Sequence, residues 1–264
     1  MSYAHLLVDD GAITTITLNR PERHNAINTA LGDELVDAFT AAGRSPDVKV
    51  MILAGAGPSF CSGDDRGEGG EGQIPDFPWR NPYHSPHIEP FAVYRHGYFQ
   101  LLSLIRRVPQ LVIARIHGYC VGSGIDLMLA SDFAIAESDA RIQPIFGVRG
   151  IGPAGTVYLP KYVGLKRAMN LLFNPNPISG TDAEQLGLVT KAVDFPQLDE
   201  EVNALAQRLV TTAEQFYGYF GSVKEAVNRS IFPALDEDVR AQVLSTRLSD
   251  FFRFTHPAAP AEAD

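Results

Sequence analysis

The chain has 264 residues, 45% of them hydrophobic and 20% charged, a globular balance with length for one sizeable core or for a large domain and a smaller appendage. A formal charge of −9 and a pI near 5.2 exclude a chain-wide basic footprint for nucleic acid. Cys61 and Cys120 are too few for a disulfide framework and the apolar runs too short for a membrane span, so a cytoplasmic protein with no membrane or nucleic-acid partner is expected.

In chain order, residues 4–19 carry two runs of Leu, Val, Ile and Thr separated by Asp9-Asp10-Gly11, a hairpin signal. After Asn28, a candidate N-cap, the apolar positions Leu31, Leu35, Phe39 and Ala42 recur at helical spacing. Residues 48–54 (VKVMILA) form a short, almost wholly apolar run, the pattern of a buried parallel strand. A strand, helix, strand order implies a right-handed crossover. The pattern returns as a helix over 91–107, a strand over 111–116, a helix over 124–130 and a strand over 133–136. Two such passes suggest a layered, spiral α/β arrangement. Residues 198–248 are helical in pattern and 255–264 read as a frayed tail, which divides the chain into an α/β domain, 1–197, and a helical domain, 198–264. Between residues 66 and 90 glycine and proline forbid regular structure, and a lid is favoured there over a linker.

Two glycine-containing segments follow predicted buried strands: Ser59-Phe-Cys-Ser-Gly-Asp-Asp65 and His117-Gly-Tyr-Cys-Val-Gly-Ser-Gly-Ile-Asp126. Ligands of parallel α/β proteins sit at the carboxyl ends of strands, so both segments are expected at one site. Gly122-Ser123-Gly124 precedes a helix, whose first N–H groups point at the positive end of the helix dipole and suit an anion. A tight turn that needs glycine for steric reasons alone is the competing reading. The dinucleotide fingerprint is not met, because the segment reads G-S-G-I-D-L.

Together these segments resemble the enoyl-coenzyme A hydratase/isomerase family, the crotonase superfamily. TLNRPERHNAIN, PSFCSGDD, HGYCVGSGIDLMLASDFAIA, GIGPAGTVYLPKYVG and ISGTDAEQLGLVTKAV are similar to its motifs in order and spacing over about residues 6–195. The resemblance implies an α/β fold, a crotonase-like spiral of ββα units with a C-terminal helical trimerisation domain. The implied partners are an acyl-coenzyme A substrate and further copies of the chain, as a homotrimer or a dimer of trimers. It implies no cofactor, coenzyme A entering as part of the substrate, and no metal. By position, the peptide N–H groups of Asp64 and Ser123 would form the oxyanion hole for the thioester carbonyl. His24, Ala26, Ser62, Gly63, Gly122 and Phe146 would line the coenzyme A and acyl groups.

Hydratases of the family use two glutamates, and here Asp126 stands at the first position and Phe146 at the second. Phenylalanine can neither position water nor donate a proton, so two-carboxylate hydration is not expected. Asp126 is the expected proton carrier, although an aspartate in a first helical turn also serves as a cap. His96 is the best of the second carriers among His84, His87, Tyr94 and Arg95. Lys161, Lys166, Arg167 and Lys224 are candidate partners for coenzyme A phosphates or else solvated charges, and Asp132 reads as structural. The leading function is an enzyme of isomerase or hydratase-type proton transfer on an unsaturated acyl-coenzyme A. A hydrolase cleaving a C–C bond in a cyclic or β-oxo thioester, and a catalytically silent acyl-coenzyme A binder, are the alternatives.

Overall fold

The hairpin read from residues 4–19 forms as β1 (Leu6–Asp9) and β2 (Ile13–Leu18), antiparallel in register from Leu6 opposite Leu18 to Asp9 opposite Thr15. The computed structural model describes residues 3–65, 98–144, 153–174, 176–216 and 219–234. Asn28 caps α1 (Thr29–Arg44) as expected, its side chain accepting from the Leu31 N–H at 2.9 Å, and Leu31, Leu35 and Phe39 are fully buried.

Next come β3 (Val50–Gly55), α2 (Tyr98–Arg107), β4 (Leu111–Ile116), β5 (Tyr119–Val121), α3 (Ser123–Ala130), β6 (Phe133–Glu137) and β7 (Arg141–Gln143). The chain continues through α4 (Pro153–Val163), α5 (Leu165–Phe173), α6 (Gly180–Leu186), β8 (Lys191–Val193), α7 (Phe195–Gln215) and α8 (Tyr219–Ile231). The main sheet has six strands in the order β1-β2-β3-β4-β6-β8, parallel from β2 onward.

Its strands are apolar on both faces because both faces are covered. Met51, Leu53, Val112, Ala114 and Ile116 join the larger core beneath α1, α2 and α3. Val50, Ile52, Ile113 and Ile135 point the other way, against Leu198, Val202, Ala206 and Val210 of α7. Those four α7 residues recur every fourth position and form one apolar stripe; a fully buried valine or leucine contributes roughly 1.5–3 kcal/mol.

Short strands β5 and β7, inside stretches read from sequence as connections, make a second parallel sheet. Single bridges extend it on both sides: Ile27 to Asp64, Cys61 to Cys120, and Ile142 to Ile178. Four successive units therefore share one plan: a main-sheet strand, a step on the second sheet, then a helix. They are β2, Ile27, α1; β3, Cys61 to Asp64, α2; β4, β5, α3; and β6, β7, α4. This is the spiral expected from the sequence, with four turns where periodicity gave two.

Several expectations fall elsewhere. The helix expected over 91–107 is described from Tyr98, and the 66–90 stretch, His84, His87, Tyr94, Arg95, His96, Phe146 and the 239–248 helix lie outside the described residues. The helix expected from 198 begins at Phe195 and packs on the main sheet. No helix among the described residues is long and apolar enough to cross a membrane.

Candidate active site

β3 and β4 are parallel neighbours, so the segments leaving their carboxyl ends arrive at the same edge of the sheet. Asn25 ties the segments after β2 and β3 together. It sits at φ 55°, its Oδ1 accepts from the Arg20 N–H at 2.9 Å, and its Nδ2 donates to the Ala56 and Ser59 carbonyls at 2.8 Å each. A fully buried amide with these three bonds is well satisfied. Arg20 adds a bond to the Ala26 carbonyl at 2.6 Å and an ion pair to Asp65 at 2.8 Å, and Arg23 reaches the other Asp65 oxygen at 3.0 Å. The exposed His24 places Nδ1 3.0 Å from Ser59 Oγ and its ring edge-on to Tyr119.

The next segment changes phase at Gly63. The Ser62 N–H donates to the His24 carbonyl at 3.0 Å, and in a regular strand every second N–H points the same way. Instead the Ile27 N–H donates to Gly63 O and the Asp65 N–H to Ile27 O, both at 2.8 Å. Gly63, at φ 97°, supplies the flip, a backbone region that side chains strain. The N–H of Asp64 is thereby turned away from Ile27.

On the adjacent chain, the Cys61 N–H donates to Tyr119 O and the Val121 N–H to Cys61 O, both at 2.9 Å. Gly122 then turns at φ 53° and starts α3, its carbonyl accepting from the Ile125 N–H at 2.8 Å. Ser123 is the first residue of that helix, and the first N–H groups of a helix have no acceptor within it. Gly124 is required by contact: a Cβ there would stand 2.7 Å from Cys61 O and 2.9 Å from Cys61 Cβ. Across this junction the Ser123 hydroxyl donates a hydrogen bond to Asp64 Oδ1.

Asp126 lies one turn into α3 and is fully buried. Burial pushes the Cys61 thiol up to about 12, and the carboxylates of Asp64 and Asp126 add to the rise. The Tyr158 hydroxyl is also raised, chiefly by burial and in part by the Asp126 charge.

Sequence reasoning thus places His24, Ala26, Ser62, Gly63, Asp64, Gly122, Ser123 and Asp126 on segments that the second sheet brings side by side. Lys161, Lys166 and Arg167 are exposed on α4 and α5. Lys224 is a correction: it neither faces a phosphate nor lies in solvent. It is buried, donating to the Ile105 and Gln110 carbonyls at 2.9 Å and to Asp132 at 2.7 Å. Asp132 also accepts from the Val112 N–H at 2.8 Å, in keeping with its structural reading. The Asn25 knot, the Asp65 pairs with Arg20 and Arg23, and the Asp64–Ser123 bond were missed. An asparagine embedded in R-P-E-R-H-N was the available signal for the first.

A family model described as enoyl-CoA hydratase/isomerase matches residues 9–249. The chain is 31% identical over 229 residues to a 1,2-epoxyphenylacetyl-CoA isomerase of Escherichia coli K12, covering 85% of this chain and 81% of that protein. It is 33% identical over 221 residues to a probable enoyl-CoA hydratase of Rhodobacter capsulatus, covering 83% and 79%. Among solved structures, a probable enoyl-CoA hydratase from Mycobacterium smegmatis superimposes with a TM-score of 0.79 at 25% identity, over 99% of this chain and all of that one.

Proposed function

Since the chain belongs to the enoyl-CoA hydratase/isomerase family, we propose that it moves a proton along an unsaturated acyl-coenzyme A thioester, with Asp126 as the single carboxylate that carries it. The observation that bears most weight is the position of Asp126: fully buried, one helical turn past Ser123, on the helix whose start adjoins Asp64. In this reading the N–H groups of Asp64 and Ser123 hold the thioester oxygen. Donors already in place where charge develops need no reorganisation during reaction, which is what makes such a pair effective. The Asp126 carboxylate takes a proton from C2 of a 3-enoyl thioester, the electron pair spreads from C2 to the carbonyl oxygen and C4, and the proton returns at C4. The product is the conjugated 2-enoyl thioester. All electrons stay in the substrate, so this chemistry calls for no cofactor beyond the coenzyme A already attached.

His24, Ala26, Ser62 and Gly63 would lie along the coenzyme A, with Gly122 and Phe146 near the acyl group. Phe146 in place of a second carboxylate favours isomerisation over hydration. His96 is the remaining candidate for a second proton carrier. We further propose assembly as a trimer or dimer of trimers, and a cytoplasmic location, which the free thiols of Cys61 and Cys120 support.

The test is turnover of 3-hexenoyl-coenzyme A, followed by the ultraviolet absorbance of the conjugated product. Asp126→Asn keeps the shape and removes the base, so kcat should fall on the order of 10²-fold or more with KM little changed. An Asp126→Asn variant at the wild-type rate would reduce Asp126 to a helix-start residue. Efficient hydration of crotonyl-coenzyme A by the unaltered protein would overturn the role given to Phe146. Cleavage of a β-oxo thioester in place of isomerisation would move the protein to hydrolytic chemistry.

A further inference from the structure

We infer that the hydrogen bond from the Ser123 hydroxyl to the Asp64 carboxylate is a positioning device that sets the distance between the two backbone donors, an inference that rests on the oxyanion-hole reading above. The two donors belong to chains that part just before them. The last described backbone bond between these chains runs from the Val121 N–H to Cys61 O at 2.9 Å. Beyond it both chains turn through glycines of positive φ, Gly63 at 97° and Gly122 at 53°. The fork is narrow at its base, where a Cβ on Gly63 would stand 3.0 Å from Val121 O. Past that point the side chains of Asp64 and Ser123 rejoin what the backbones have separated.

Each of these backbones is already held within its own element. The residues flanking Asp64 are bonded to Ile27 at 2.8 Å on both sides, and Ser123 is the first residue of α3. Folding of either segment therefore does not require the side-chain bond, which adds only their mutual spacing. That spacing is what a two-donor hole depends on, because one oxygen must lie within reach of both N–H groups at once. The bond is suited to the task. It is charge-assisted, and Ser123 is 5% exposed, so water competes poorly for its hydroxyl. An alanine or glycine pair at these positions would offer the same N–H groups without the strut.

The experiment uses the full chain in two measurements: turnover of 3-hexenoyl-coenzyme A, and the infrared carbonyl band of bound butyryl-coenzyme A labelled with ¹³C at the thioester carbon. In the wild type the band should move to lower frequency on binding, reporting polarisation by the hole. In Asp64→Ala and Ser123→Ala the shift should shrink and kcat fall about tenfold, with KM nearly unchanged and thermal unfolding intact. The double variant should be no slower than the slower single one, since both remove the same bond. Asp64→Asn, whose amide oxygen can accept from the same hydroxyl, should recover most of the loss. Should Asp64→Ala fail to fold, Ser123→Ala alone carries the comparison. A shifted wild-type band that is equally shifted in the variants, or losses that multiply in the double variant, would overturn the strut while leaving the hole. An unshifted wild-type band would overturn the hole, and the strut with it.

Discussion

Cys61 and Cys120 face each other across a parallel bridge, both buried, where the two site segments meet. Burial is the main cause that lifts each thiol, Cys61 from 9.0 to about 12 and Cys120 well above 9.0. Thiolate is the reactive form, so neither should react with a disulfide reagent at pH 8 in the native protein, whereas the urea-unfolded chain should release both thiols. Rapid labelling of the native protein would contradict this burial. The sign of the linkage follows: the thiols contribute stability that is fully present below about 9 and is lost as pH rises towards 12. His117 acts at the other end of the scale. Arg115 donates to its Nδ1 at 2.9 Å, so Nε2 carries the proton and donates to Gly57 O at 2.9 Å. Burial holds the imidazole below 6.5, and the unfolded chain takes up its proton first as pH falls. Urea midpoints should therefore drop both below about pH 6 and above about pH 9.

Lys224 shows how an element is held. It lies on α8 and spans the end of α2, the entry to β4 and Asp132, with burial pushing its ammonium down and Asp132 opposing that. Lys224→Ala would leave two carbonyls without their donor and the Asp132 carboxylate with only the Val112 N–H and Arg106, 3.8 Å away, at about 3 kcal/mol in urea unfolding. Lys224→Met with Asp132→Asn should recover part of that loss; a single variant of wild-type stability would show that α8 is not anchored there. The sequence could not reveal this, since a lysine in K-E-A-V-N-R has the pattern of a solvated helix face. By contrast β3, β4 and α1 were legible because burial on one or both sides writes itself into runs and periods of apolar residues. The strands β5 and β7 were not, since three residues are too few to show any period. The candidate site was legible differently, through segments whose order and spacing resemble the family's motifs. What joins them, the Asn25 knot and the Asp64–Ser123 bond, runs between residues far apart in sequence.

At the scale of the molecule, Tyr219, Val223, Val227 and Ile231 repeat every fourth residue along α8 and are 59%, 40%, 55% and 43% exposed among the described residues. Leu165, Met169 and Phe173 form a second such row on α5, at 64%, 46% and 62%. Apolar rows of this length usually meet another surface. Sedimentation at micromolar concentration should therefore give a trimer or hexamer, and Val223→Glu with Val227→Glu should shift it towards monomer with helical circular dichroism retained. A wild-type monomer would contradict the assembly.

The four-turn staircase has a consequence for how such a protein can change. Both proposed donors and Asp126 sit on or directly after steps of the second sheet, whereas residues 66–97 run between one step and the helix that follows it. The bonds that tie Gly63 and Asp65 to Ile27 and Ser123 to Asp64 all run between residues outside that interval. A lineage can therefore lengthen or rewrite that interval while keeping every residue that makes those bonds.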